Sequence, residues 1–123
     1  MNMLNPEKNI SKLLKAISPP QRIKIMLAIG GGEVCVCHLE AIFPQWRQAY
    51  ISQHLMALRA AHVLSSRREG RYIFYRLTDP RYLDLIEMAA STIGSTGSSL
   101  QPLTVSDCEC PHCEETSEPQ LAG

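Results

Sequence analysis

The chain has 123 residues, 12 basic and 12 acidic groups, and a formal net charge of zero. That length accommodates one domain with a modest core and leaves no room for two independent ones. No apolar run approaches the ~18–20 residues of a membrane span, and the polar N-terminus lacks the apolar stretch of a secretion signal, so a soluble cytoplasmic protein is expected.

The zero charge hides a strong asymmetry. Residues 1–43 carry +2, residues 44–81 carry +5, and residues 82–123 carry −7 with no base at all. The middle segment is a basic patch suited to a polyanion, so a neutral total does not count against nucleic acid. The acidic tail must stay clear of any such partner or bind something else.

In chain order, residues 5–17 read as an amphipathic helix, with Ile10, Leu13, Leu14 and Ile17 opposite Lys8, Lys12 and Lys15. Pro19-Pro20 breaks it. A second helix follows over 21–29, with Ile23, Met26 and Leu27 as its apolar side, and Gly30-Gly31-Gly32 ends it. A short third helix is expected over 38–42, with residues 34–37 at or just before its start. Phe43-Pro44-Gln45 is then a turn into a fourth helix.

That fourth helix lies in the stretch 48–76, around which the chain is organised. With Ile51 as origin, Leu55, Leu58 and His62 fall on one narrow side, predicting that His62 faces the core. Ala49, Ser52, Gln53 and Ala60 fall opposite. Small, hydrogen-bonding residues on an outward face let a helix approach base edges in a major groove. Residues 63–68 and 71–77 read as two strands around Glu69-Gly70, a β-hairpin with arginines at its tip that suits phosphates. In this reading Gln48, Ser52 and Gln53 face bases, Tyr50 and His54 lie on the flanks, and Arg67, Arg68 and Arg71 hold phosphates.

Asp79-Pro80 opens a last helix over 81–93, with Tyr82, Leu85, Ile86, Ala89 and Ile93 in a stripe wider than a small core needs. With the first helix it forms a candidate dimer surface. The Ser/Thr/Gly-rich residues 94–107 read as a flexible linker. The division expected is therefore 1–93 as a DNA-binding and dimerisation domain and 94–123 as a flexible acidic tail.

The five cysteines fall into two tight groups, Cys35/Cys37 and Cys108/Cys110/Cys113. In a reducing compartment such grouping suggests metal ligands or redox sensing rather than a disulfide framework. Cys35 and Cys37 lie on one side if their approach to a helix start is extended, and the helix N-terminus lowers thiol pKa. In the tail, Cys110-Pro111-His112-Cys113 with Cys108 places three sulfurs within six residues.

Two motifs in this order carry a family resemblance: Glu33-Val34-Cys35-Val36-Cys37-His38-Leu39 and Ile51-Ser52-Gln53-His54-Leu55-Met56-Ala57-Leu58-Arg59, followed by the hairpin. Over about residues 5–93 the chain resembles the ArsR/SmtB family of metal-responsive repressors, the first motif being similar to its metal box and the second to its recognition helix. The resemblance implies a mainly α, winged helix–turn–helix homodimer with a β-hairpin wing. It implies a repressor that leaves operator DNA when its inducer binds. The family's other common site, Asp/His pairs on the last helix, is not expected, because residues 81–93 hold no histidine and only Asp84 and Glu87 as acids.

Thiolates favour As(III), Cd(II), Pb(II) and Zn(II). Three would suit a trigonal lone-pair ion, and four, or three with His112, a tetrahedral one. His38 is a further candidate ligand. A span of twenty residues reaches roughly 25 Å if flexible, so the tail sulfurs either close over Cys35/Cys37 or form their own site. A redox or reactive-sulfur switch on the same fold is the alternative. A cysteine-nucleophile enzyme is not expected, since no Cys/His pair has a supporting third group.

Overall fold

In the computed structural model, which describes residues 5–94, the chain forms five helices and a three-stranded antiparallel sheet. Helix α1 spans Pro6–Ile17 and α2 Pro20–Ile29, each with proline in its first turn, where the missing N–H costs nothing. Gly30, at φ +58°, stops α2 in a backbone conformation that L side chains rarely adopt, while its N–H still donates to the Met26 carbonyl. Strand β1 (Glu33–Cys35) leads directly into α3 (Val36–Ile42), and α4 spans Gln48–Ala60. Strands β2 (Leu64–Glu69) and β3 (Tyr72–Leu77) form the wing, and α5 covers Arg81–Thr92. The Asp79 carboxylate accepts the N–H of Arg81 at 2.9 Å, satisfying a donor that the first turn of α5 leaves open.

The sheet order is β1-β3-β2. The hairpin is joined by Gly70-Arg71 rather than centred on Glu69-Gly70: Glu69 pairs with Tyr72, and Gly70 supplies the positive φ of +62° that so tight a turn needs. The expected hairpin therefore gains a third strand, with Val34 opposite Tyr75 and Cys35 opposite Phe74. Three residues are too few for an alternation to show in sequence.

The main core gathers Ile25, Met26, Leu39, Ile51, Leu55, Leu58 and Val63, none with any exposure, around α2 and α4. Helix α2 is covered more widely than its expected stripe. Ile25, Met26, Ala28 and Ile29 are buried, while Ile23 and Leu27 are only partly so, because α1, α3, α4, α5 and β3 all pack on it.

His62 does not face the core. Helix α4 ends two residues earlier, and His62 is exposed at φ 64°. Its N–H donates to Arg59 O, and the Val63 N–H donates to Leu58 O, with Leu58 and Val63 packed inside. This is a Schellman end with histidine in the left-handed position usually given to glycine. Thr78 fastens it, donating its hydroxyl to the His62 carbonyl at 2.7 Å. Among the described residues no helix is long and apolar enough to cross a membrane.

Candidate nucleic-acid interface and cysteine pair

The outward face of α4 is built by default. Ile51, Leu55 and Leu58 bury one side completely, which leaves Gln48, Ala49, Gln53 and Met56 exposed and Ser52 partly exposed on the other. Ala49, Ser52, Gln53 and Met56 of this face, together with Trp46 and Tyr50, line an open concavity of about 850 Å³. Its two aromatic lining residues belong to a longer chain of rings: Phe43 stacks on Trp46 at 4.2 Å, Trp46 meets Tyr50 edge-on at 5.5 Å, and Tyr50 meets His54 at 4.7 Å.

His54 is turned away from that surface. Arg22 Nε donates to its Nδ1 at 3.0 Å, and Arg22 Nη1 donates to the Ala16 carbonyl at 2.9 Å, so one guanidinium ties α1, α2 and α4 together. An acceptor at Nδ1 requires the neutral ring. Burial, and then the charge of Arg22, push the His54 pKa down, which favours that form. Its Nε2 is buried with no hydrogen-bond partner among the described residues. His54 is thus a brace for α4, and Tyr50 packs between it and Trp46.

Arg68 and Arg71 are exposed at the end of the wing, and Arg71 lies over the Tyr72 ring, with Nη2 donating to Tyr72 Oη at 3.3 Å. Arg67 is differently placed. It makes a two-pronged ion pair with Glu33 at 2.7 and 2.8 Å, and its guanidinium covers the Phe74 ring at 4.8 Å. A pair spanning 34 residues cannot be read from local pattern.

The cysteine pair sits on the same side of the sheet as this ion pair. Alternation along β3 sends Ile73, Tyr75 and Leu77 to the main core and leaves Tyr72 and Phe74 on the opposite face. There Phe74 and Cys35, 0% and 1% exposed, form a second small core with Cys37 and Tyr72 packed against it. Cys35 is extended and caps α3: its Sγ accepts the N–H of His38 at 3.3 Å. Cys37 lies within the first turn, so the approach is extended only as far as Cys35. The two sulfurs are joined as a disulfide, with Cα atoms 5.3 Å apart. The His38 side chain is buried, its pKa lowered by that burial, and its Nδ1 has no hydrogen-bond partner among the described residues.

Among the described residues no three His, Cys, Asp or Glu side chains converge as a metal site. Cys108, Cys110 and Cys113 lie outside the described residues, as does the rest of the expected tail beyond Gly94. Glu33, Tyr72 and Phe74 escaped the sequence reading. The period-two alternation of β3 was the signal that could have found Tyr72 and Phe74, whereas nothing local marks Glu33 as the partner of Arg67.

Five helices carrying a helix–turn–helix and a β-hairpin define a winged-helix transcription regulator. No family model matches the chain. Among curated proteins, the biofilm growth-associated repressor of Agrobacterium fabrum is 38% identical over 78 residues, 63% of this chain and 66% of the relative. A cadmium resistance regulatory protein CadC homologue of Staphylococcus aureus is 33% identical over 82 residues, 66% of this chain and 67% of the relative. The chain thus spans about two thirds of the length of these relatives. Of solved structures, the repressor BigR of Xylella fastidiosa superposes with a TM-score of 0.62 at 32% identity, covering 78% of this chain and 99% of that one. The chain belongs to the ArsR/SmtB family of transcriptional repressors, a family without enzymatic activity.

Proposed function

We propose that the protein is a homodimeric repressor whose operator affinity is set by the state of Cys35 and Cys37, with a thiophilic ion, As(III), Cd(II), Pb(II) or Zn(II), as inducer. The carrying observation is the position of the two sulfurs, in contact with each other and packed against the wing. Reduced, this pair offers two thiolates to one ion, and an ion of this class supplies charge-neutralising sulfur bonds that draw its ligands together. Two thiolates do not complete a trigonal or tetrahedral set. Cys108, Cys110 and Cys113 are the proposed source of the rest, with His38 the nearest buried nitrogen ligand in sequence.

The route to DNA runs through Phe74. It pairs with Cys35 on one side and lies beneath Arg67 on the other, while Tyr72, packed on the same cluster, touches Arg71. A change in the sulfur pair therefore shifts the wing arginines as well as α3, which packs directly on α4. In this reading Gln48, Ser52 and Gln53 meet base edges and Arg68 and Arg71 meet phosphates. Arg67 and His54 position the wing and α4 instead. Dimerisation uses the exposed apolar residues of α1 and α5. Coupling of ~1–3 kcal/mol would change operator affinity about 5- to 150-fold.

A disulfide switch is the second reading, favoured by the bond between Cys35 and Cys37 itself. Titrating the fully reduced protein with each ion, beside operator gel-shift measurements, separates the two. Sulfur-to-metal charge-transfer absorption with loss of DNA binding, abolished in Cys35→Ser, is expected. Loss of the response on truncation before Cys108 would place the tail sulfurs in the same site. No ion response in reductant, with DNA affinity changing on oxidation alone, would overturn the ion reading in favour of the disulfide.

A further inference from the structure

Met56 is a large apolar side chain left 69% exposed in the middle of a helix that buries its other long aliphatic side chains, Ile51, Leu55 and Leu58, completely. It is neither at a frayed end nor on a surface that the other described residues cover. Ala49, Ser52, Gln53 and Met56 stand at i, i+3, i+4 and i+7, so they share one face, and all four line the concavity beside Trp46. The surrounding segment 44–81 carries a net charge of +5. An apolar side chain on a basic, outward helix face has a specific partner in B-DNA: the C5-methyl of thymine, the one apolar group that the major groove presents on a base edge.

We infer that Met56 reads a thymine methyl in each operator half-site, next to the base contacted by Gln53. The inference rests on the repressor reading above and adds the base type that the operator must contain. The geometry is self-consistent. Gln53 and Met56 are about 4.5 Å apart along the helix axis, close to the ~3.4 Å step between base pairs. The Gln53 amide suits adenine, and Met56 then falls over a neighbouring A·T pair. Ala49, at the opposite end of the face, is small enough to leave Gln53 and Ser52 in contact range.

The test uses the full-length protein and an operator selected from random duplexes. Each thymine is replaced in turn by deoxyuridine, which removes the methyl and changes no hydrogen bond. At one thymine per half-site the replacement is expected to weaken binding by the wild type about three- to fivefold, the worth of one buried methyl group. Met56→Ala, which should fold normally because the side chain is exposed, is expected to bind the parent and substituted duplexes equally. An undiminished deoxyuridine effect in Met56→Ala, or no effect at any thymine, overturns the inference while leaving the repressor intact. Failure to select any sequence overturns the repressor reading itself.

Discussion

On α4, Ile51, Leu55 and Leu58 have no exposure, whereas on the helices flanking α2, Ile10 and Leu14 of α1, Met88 of α5 and Ile93 at its C-terminal cap are 46–79% exposed. On α1 the residue types and helical spacing are the same, with Ile10, Leu14 and Ile17 at i, i+4 and i+7. What differs is whether the described residues supply both sides of the contact. The α4 side is closed by α2, α3 and the sheet, while α1 and α5 each bury part of a stripe, through Ile17, Ile86 and Ala90, and present the remainder outward. An amphipathic pattern therefore reports that a face wants covering, and says nothing about which chain covers it.

The largest expected effect lies on the completed side. Leu55→Ala should cost about 2–5 kcal/mol in urea unfolding, since the packed neighbours of α4 cannot collapse into the gap; a loss below about 1 kcal/mol would mean that this core is looser than its burial indicates. Next is the open side. Met88→Glu should leave the monomer fold and its circular dichroism unchanged, while weakening self-association at least about tenfold in sedimentation equilibrium, because an unpaired charge is costly to bury. Equal association by the variant would remove α5 from the interface.

The smallest effect concerns the brace between the two regions. The folded His54 pKa lies below the usual 6.5, so beneath that pH the unfolded chain binds more protons than the folded one. Its contribution to stability is complete above about 6.5 and is lost as pH falls further. Melting temperature should therefore rise from pH 5 to pH 7, and His54→Gln, which keeps an acceptor for Arg22, should flatten that rise. An identical slope in the variant would show that His54 is not among the groups responsible.

The order of elements, the turn into α4 and the outward set Gln48, Ser52 and Gln53 were legible because each follows from local spacing. Three features were not, for different physical reasons. The core placement of His62 extrapolated helical periodicity past the true end of α4, and a left-handed cap made by histidine gives no glycine signal. Arg67 looks like any wing arginine until Glu33 arrives from another strand. The second small core under the cysteines depends on β1, whose three residues are recruited by pairing with β3 rather than by any pattern of their own.

Trp46 is the chain's one tryptophan, and it is held in the ring stack between Phe43 and Tyr50. It also walls the concavity that holds Gln53 and Met56. The indole is thus an optical reporter already mounted on the surface of interest. Its emission, excited where tyrosine and phenylalanine scarcely absorb, answers to whatever fills the concavity and to any tilt of α4 against the preceding turn. The molecule carries its own unlabelled readout of occupancy.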